Sequence, residues 1–231
     1  QSSHNCHVTW RQLLQQTSEW EGETFGLPDW IDRGRQVASD SHQRAGSPGT
    51  IGSSAGDEED MRMLQSPGSF WEYNDVRVNR TALSLLQLTK VALPEMLKKD
   101  LMDPIGATDL WQWHGYENSW VDIEGRTVQS VSGGAHWGGG VWISSLDHAR
   151  FGLLYLHRGN WDGNQILSSD WINQTLTPCD HNPDYGLLWW LNKRGTLCPE
   201  ASASSFAAMG AGGNVVFVEP ELDLVVVLRW S

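Results

Sequence analysis

Apolar positions in the first half of the chain recur at helical spacing in a few short segments. A capping box formed by Thr9 and Gln12 predicts a short helix that ends near Thr17. A run of leucines at helical spacing predicts a second helix beginning near Thr81, and Pro94 fits the first turn of a third. The first half is therefore expected to consist of helices joined by loops.

The second half changes from helical to strand-like patterns. Serine pairs at 144–145 and 168–169 predict the N-caps of two helices, and Gly159 predicts the end of the first of them. Four apolar and β-branched runs then predict strands at residues 185–192, 204–209, 214–218 and 222–230. A tight turn at 219–221 joins the last two strands, so the sheet is expected to be an antiparallel meander. Helices followed by such a sheet are typical of the α+β class.

Composition indicates one large domain or two closely packed lobes. The chain has 231 residues, of which 39% are hydrophobic, and no apolar run approaches the roughly 18–20 residues of a membrane span. We expect a lobe of helices and loops at 1–140 and a lobe of helices and sheet at 141–231. The formal charge of −12 and the lack of a basic patch argue against nucleic acid and anionic membranes as partners.

Cysteine and histidine positions give no metal signature. With three cysteines at least one is unpaired, and whether Cys179 and Cys198 bridge in an oxidising compartment is left open. His114, His136 and His157 lie on unrelated segments without His-x-x-x-His spacing. We therefore expect neither a metal nor another cofactor.

Two segments are candidates for chemistry. Tyr73 and Asp75 follow a Ser-Pro-Gly turn, which predicts a loop leading into a helix, although an isolated pair of this kind is more often structural. The loop 133–140 holds five glycines in eight residues, which permits tight backbone turns, but it lacks the spacing and lysine of a phosphate-binding loop. Trp137 in this loop, with Trp111 and Trp113, could line a cleft, although tryptophans more often serve packing.

Four stretches, in the same order, resemble motifs of the serine β-lactamase-like superfamily. This group includes class C β-lactamases, penicillin-binding peptidases, and carboxylesterases and amide hydrolases of the same fold. The stretches are residues 8–18 (VTWRQLLQQTS), 67–75 (PGSFWEYND), 132–134 (SGG) with 143–152 (ISSLDHARFG), and 210–214 (GAGGN) with 218–227 (VEPELDLVVV). Each stretch by itself is only weakly specific for this superfamily. The occurrence of all four stretches in the order found in the family is a strong signal.

The resemblance implies a β-lactamase-like fold and a hydrolase that works through an acyl-enzyme. Enzymes of this group use a Ser-x-x-Lys nucleophile, a tyrosine or serine that carries its proton, and a Lys-Thr-Gly-like strand beside the site. By resemblance Tyr73 is the general base, and Asp75 is its polar partner at a position where the family more often has asparagine. A tyrosine acts as a base only where cationic neighbours favour its phenolate.

Two parts of this machinery are missing from the sequence. No Ser-x-x-Lys occurs, because glutamine, glutamate, methionine and tryptophan stand three residues before the four lysines. The strand that matches Lys-Thr-Gly has no lysine, which favours an uncharged ester, lactone or amide as substrate over a penicillin. Its backbone N–H groups could still contribute to an oxyanion hole. The predicted substrate-binding residues are Ala208, Met209, Gly210, Ala211, Gly212 and Trp137.

The family's nucleophile helix precedes the stretch that residues 8–18 resemble. The chain is therefore expected to be the C-terminal part of a β-lactamase-like domain and to be inactive alone. An unpaired edge and an apolar face of its sheet would be covered by the missing N-terminal segment, or by another chain. By resemblance a periplasmic or secreted location is favoured. Two alternatives stay open: a non-catalytic relative whose aromatic cleft binds a glycan or peptidoglycan stem, and an interaction domain with a tryptophan-rich core.

Overall fold

The computed structural model describes residues 2–33, 62–133, 139–210 and 213–229. These residues form two compact units. The first unit comprises the described residues of 2–33, 62–96 and 112–142, and the second comprises those of 97–111 and 143–229. Helices and antiparallel strands occur in both, which confirms the α+β class.

The described residues of the first unit hold three α-helices and three small antiparallel ribbons. Its elements are α1 (Trp10–Leu14), β1 (Glu23–Thr24), β2 (Leu27–Pro28), α2 (Asp75–Thr89), α3 (Leu93–Leu97, which continues as the π-helical segment Lys98–Met102 of the second unit), β3 (Gln112–His114), β4 (Trp120–Ile123), β5 (Arg126–Gln129) and β6 (Gly140–Trp142). The pairs are β1–β2, β3–β6 and β4–β5. The predicted capping box of α1 is present, since Thr9 Oγ1 accepts from the Gln12 N–H and Gln12 Oε1 accepts from the Thr9 N–H.

Helix α2 begins at Asp75, six residues before the predicted start near Thr81. Asn74 is its N-cap, and the side-chain oxygen accepts a hydrogen bond from the Arg77 N–H at 3.0 Å. The leucine run marks only the later turns. The first turns bury Arg77 and Asn79, whose partners come from distant segments, so the apolar pattern could not reveal them.

The second unit packs two helices against one sheet. Its elements are α4 (Ser145–Leu156), β7 (Asn160–Trp161), β8 (Asn164–Gln165), α5 (Ser169–Thr175), β9 (Trp190–Leu191), β10 (Phe206–Gly210), β11 (Asn214–Glu219) and β12 (Leu224–Leu228). Ser144 and Ser168 cap the two helices as predicted. The sheet order β12-β11-β10-β9, antiparallel throughout, confirms the meander.

Two predicted boundaries in this sheet are wrong. β9 is only two residues long rather than spanning 185–192, because the chain reverses between Tyr185 and Trp190, which form an isolated antiparallel bridge, and Leu188 in this reversal has a φ of 59°. The predicted tight connection between β11 and β12 is present, but it consists of a 3-10 turn at Pro220–Leu222 followed by Asp223 in the left-handed region rather than of residues 219–221.

The core of this unit lies between α4, α5 and one face of the sheet. It is formed by Tyr155, Ile172, Trp189, Leu191, Phe206, Val216 and Val218. A Cβ atom at Gly152 would lie 2.7 Å from Val225 Cγ1 and 2.8 Å from Val216 Cγ1, so only glycine allows α4 to approach the sheet this closely.

The first turn of α4 exposes an apolar side chain and buries an acidic one. Leu146 is 74% exposed, whereas its neighbour Asp147 is buried. Asp147 accepts hydrogen bonds from the Thr108 N–H and hydroxyl and from the Ser144 hydroxyl. Burial acts to raise the pKa of Asp147, but these hydrogen bonds and the Arg150 guanidinium hold it below its usual value. These polar contacts explain why Asp147, and not Leu146, is the buried residue of this turn.

The three cysteines, Cys6, Cys179 and Cys198, are free thiols, so the structure contains no Cys179–Cys198 bridge. Within the described ranges no helix has the length and apolar character needed to cross a membrane.

His148 on α4 is expected to make stability depend on pH. Burial, and then the charge of Arg229, lower the pKa of His148 to about 4 from the usual 6.5. Between these values the unfolded chain binds a proton that the folded chain does not, so the free energy of unfolding falls as pH decreases from 6.5 toward 4. Urea unfolding of His148→Gln should show a flatter pH dependence in this window. His157→Gln, at an exposed histidine beside the same helix, is the control, and equal slopes in all three proteins would contradict the expectation.

Candidate functional site

Tyr73 lies in the loop 66–74, here called the tyrosine loop, directly before α2. The prediction that both Tyr73 and Asp75 are loop residues is only half right, because Asp75 is the first residue of the helix. Asp75 is buried, and its backbone N–H donates to Asp32 Oδ2 at 3.0 Å. A carboxylate in the first helical turn is favoured by the helix dipole. Tyr73 is half-buried.

The tyrosine loop is attached to the chain just after α1. The Gly68 N–H donates to Thr17 O at 2.8 Å, and the Glu72 N–H donates to Gln16 O at 3.0 Å. The Asn74 N–H donates to Gln16 Oε1 at 3.1 Å. The first two stretches that resemble superfamily motifs, residues 8–18 and 67–75, are therefore one structural assembly rather than two separate features.

A buried network of charges supports this assembly. Arg77 Nη1 lies 2.9 Å from Glu19 Oε1, and Arg77 Nη2 lies 3.3 Å from Asp29 Oδ2. Arg62 Nη2 lies 2.8 Å from Glu19 Oε1 and 2.6 Å from Glu72 Oε2. The side chains of Glu19 and Arg77 are fully buried. Each buried charge thus has an opposite partner, which is the condition for keeping it ionised inside a protein.

The pKa shifts agree with this geometry. Burial acts to raise the pKa of Glu19, but hydrogen bonds from Arg62 and the charge of Arg77 keep it below its usual value. Burial likewise acts to lower the pKa of Arg62, and its hydrogen bonds to Glu19 and Glu72 raise it well above its usual value. The sequence patterns did not predict this network. The charged residues in or near the stretches 8–18 and 67–75 were the signal that could have indicated it.

A second polar cluster lies one helical turn beyond Asp75. Asn79 Nδ2 and the Ser132 hydroxyl each donate to Tyr116 Oη at 3.0 Å. Asn79 Oδ1 accepts from the Gly133 N–H at 3.1 Å. All three side chains are buried. The cluster thus fixes the start of the predicted glycine-rich loop against α2.

Tyr116 also lines an open cleft of about 620 Å³. The lining residues are Phe25, Gly26, Leu27, Tyr116, Glu117 and Asn118. None of the three tryptophans expected to form a cleft is among them. Trp111 is buried, Trp113 donates from Nε1 to Ser132 O at 2.8 Å, and Trp137 lies outside the described residues.

The predicted substrate strand is β10, in the second unit. Ala208, Met209 and Gly210 pair with Val216, Val215 and Asn214 of β11. On its other side β10 pairs with β9 only at Phe206 and Ala207, so no described strand pairs with that side of residues 208–210. The Ala208 side chain is partly buried and packs against the core. Ala211 and Gly212 lie outside the described residues.

In the described part of the chain, no group of three or more histidine, cysteine or acidic side chains is arranged to hold a metal ion.

No protein-family model matches the sequence, and neither does any curated protein. Solved structures match nearly the whole chain. A penicillin-binding protein from Bacillus halodurans aligns over 98% of this chain and 71% of its own, with a TM-score of 0.58 and 19% identity. The LovD9 mutant of simvastatin synthase from Aspergillus terreus aligns over 96% and 62%, with a TM-score of 0.60 and 15% identity. EstCE1, a hydrolase with promiscuous acyltransferase activity, aligns over 95% and 66%, with a TM-score of 0.56 and 15% identity.

The chain shares the β-lactamase-like fold of these structures. This confirms the fold that the resemblance of the four motif stretches implied. At sequence identities this low, the structural similarity shows a shared fold only. A statement about function has to be argued from the residues of the site. The β-lactamase-like chain covers between 51% and 71% of the length of the solved structures compared, so its fold is a partial one.

Proposed function

We propose that this chain is the C-terminal part of a serine hydrolase that cleaves an ester, lactone or amide through an acyl-enzyme. The nucleophilic Ser-x-x-Lys would lie outside these 231 residues. The observation that carries the proposal is the tyrosine loop. It presents a half-buried Tyr73 immediately before a capped helix, and hydrogen bonds attach the residues on both sides of Tyr73 to the end of α1.

In the proposed reaction Tyr73 moves the proton. Its phenolate accepts the proton of the nucleophilic serine as the serine oxygen bonds to the substrate carbonyl carbon. The phenol then returns this proton to the leaving alcohol or amine when the carbon–heteroatom bond breaks. Water repeats the sequence on the acyl-enzyme and releases the carboxylic acid. The required cation for the phenolate would be the lysine of Ser-x-x-Lys, and Asp75 would be the polar partner of Tyr73.

The chemistry of β10 supports the proposed substrate class. Ala208, Met209 and Gly210 offer no cationic side chain to pair with a substrate carboxylate, whereas the side of these residues that no described strand pairs with offers backbone hydrogen-bonding groups. Such groups suit an uncharged acyl compound and can donate to an oxyanion. Ala211, Gly212 and Trp137 are kept as proposed substrate contacts.

A non-catalytic ligand-binding protein is the second candidate. The cleft beside Tyr116 favours it, because Phe25, Leu27 and Tyr116 supply apolar walls while Glu117 and Asn118 supply polar groups. The absence of Ser-x-x-Lys and of a strand lysine from the sequence is compatible with this candidate.

The proposed partner is the N-terminal segment of the same protein, or another chain that supplies it. Among the described strands β12 lies at the edge of its sheet. It consists of five apolar residues, of which Leu224 and Leu228 are 42% and 54% exposed. An added strand or helix that covered these residues would satisfy the edge and bury its apolar face.

Labelling with a fluorophosphonate tests the hydrolase proposal. We expect no labelling of the 231-residue chain, and labelling at the serine of Ser-x-x-Lys in a longer polypeptide that restores the preceding segment. A serine-to-alanine variant of that residue is the control and should not be labelled. If the gene encodes no Ser-x-x-Lys before this chain, or if the longer polypeptide is not labelled, the hydrolase proposal is wrong.

A further inference from the structure

Gln16 contacts the residues on both sides of Tyr73. Its backbone oxygen accepts from the Glu72 N–H at 3.0 Å, and its side-chain oxygen accepts from the Asn74 N–H at 3.1 Å. Tyr73 stands between these two attachment points. Gln16 is completely buried, although it is a polar residue. Its position directly after the C-cap of α1 allows one residue to supply both acceptors.

The backbone conformation of Gln16 indicates that its side chain makes a stabilising contact. Its φ is 60°, in the left-handed region that glycine adopts most easily. A residue with a side chain at such a position needs a compensating contact, and the hydrogen bond to Asn74 is that contact. The other half of the amide does not contribute, since Nε2 is buried and has no hydrogen-bond partner among the described residues.

We infer that Gln16 is a positioning residue, which holds the backbone of Tyr73 and thereby directs the phenol used for proton transfer. This inference rests on the proposed role of Tyr73. It assigns the function to one atom, the acceptor Oε1, rather than to the volume of the side chain. Gln16→Glu keeps an acceptor oxygen at this position, because a carboxyl group accepts hydrogen bonds in either protonation state. Gln16→Met keeps the volume and removes the acceptor.

Amide hydrogen exchange and tyrosine NMR test the inference in this chain. In Gln16→Met we expect the Asn74 amide to exchange about tenfold faster, as for one lost hydrogen bond. The Glu72 amide, which donates to the backbone of Gln16, should change little. With only four tyrosines in the chain, ring-carbon signals can be assigned by tyrosine-to-phenylalanine variants. The Tyr73 signal should shift or broaden in Gln16→Met and return to the wild-type position in Gln16→Glu.

Gln15→Met, at the adjacent half-buried position, is the matched control and should leave both measurements unchanged. An unchanged Asn74 amide and Tyr73 signal in Gln16→Met would overturn the inference, as would equal changes in the glutamate variant. If the methionine variant does not fold, native-state amide hydrogen exchange of the wild-type chain tests the inference instead. The Asn74 amide should then be protected from exchange in the folded chain, and an Asn74 amide that exchanges at the rate of an exposed amide would refute the attachment. No measurement uses a substrate, so the hydrolase proposal is tested separately.

Discussion

Replacing Tyr73 with phenylalanine is expected to reduce ester hydrolysis by about 10²- to 10⁴-fold, the usual contribution of a positioned general base. The change removes one oxygen, so the tyrosine loop should keep its attachment to Gln16 and the fold should be retained. The measurement is turnover of a short-chain p-nitrophenyl ester by the longer polypeptide that carries Ser-x-x-Lys. The loss should appear in kcat more than in KM, because the phenol acts on the proton in the transition state.

Tyr185→Phe is the control for this variant. Tyr185 is a buried tyrosine of the second unit, which contacts Trp190 edge-on, and no catalytic role is proposed for it. Its replacement should leave kcat unchanged. Activity in Tyr73→Phe within a factor of about two of the wild type would mean that another group carries the proton, since general-base losses are far larger.

Replacing Arg77 with methionine is expected to lower the free energy of unfolding by about 3–5 kcal/mol, as for removal of one partner from a buried ion pair. The guanidinium is fully buried and contacts Glu19, Asp29 and the Trp20 carbonyl. Its loss leaves buried carboxylates with fewer compensating charges, although Arg62 still binds Glu19. Urea unfolding monitored by tryptophan fluorescence measures the effect.

A second substitution separates lost charge from lost packing. Arg77→Lys keeps a positive charge beside Glu19 and Asp29 with a side chain of similar length, so this variant should be more stable than Arg77→Met. Lys98→Met removes the exposed ion pairs with Asp103 and Asp109 and should change stability little. A lysine variant that is no more stable than Arg77→Met would show that packing and hydrogen-bond geometry, not charge, explain the loss.

The sequence predicted local elements well where one pattern decided them. The capping box of α1 and the serine caps of α4 and α5 depend on residues within three positions of each other, so they can be identified from spacing. The antiparallel order of the last strands also followed from their close succession along the chain. Predictions failed where distant contacts decided the outcome. β9 is short because the chain reverses just before it, and the start of α2 is polar because its buried side chains bind other segments.

For the site, the sequence by itself determined that Tyr73 precedes a helix, that no Ser-x-x-Lys is present, and that the strand at 208–210 has no lysine. It also determined the order of motifs from which the superfamily was inferred. Only the tertiary structure decided how Tyr73 is held. The contacts between Gln16 and the tyrosine loop, and between Glu19 and Arg77, join residues more than 50 positions apart. Hydrogen bonds across such separations depend on how the chain folds back on itself, and no local pattern of residues encodes them.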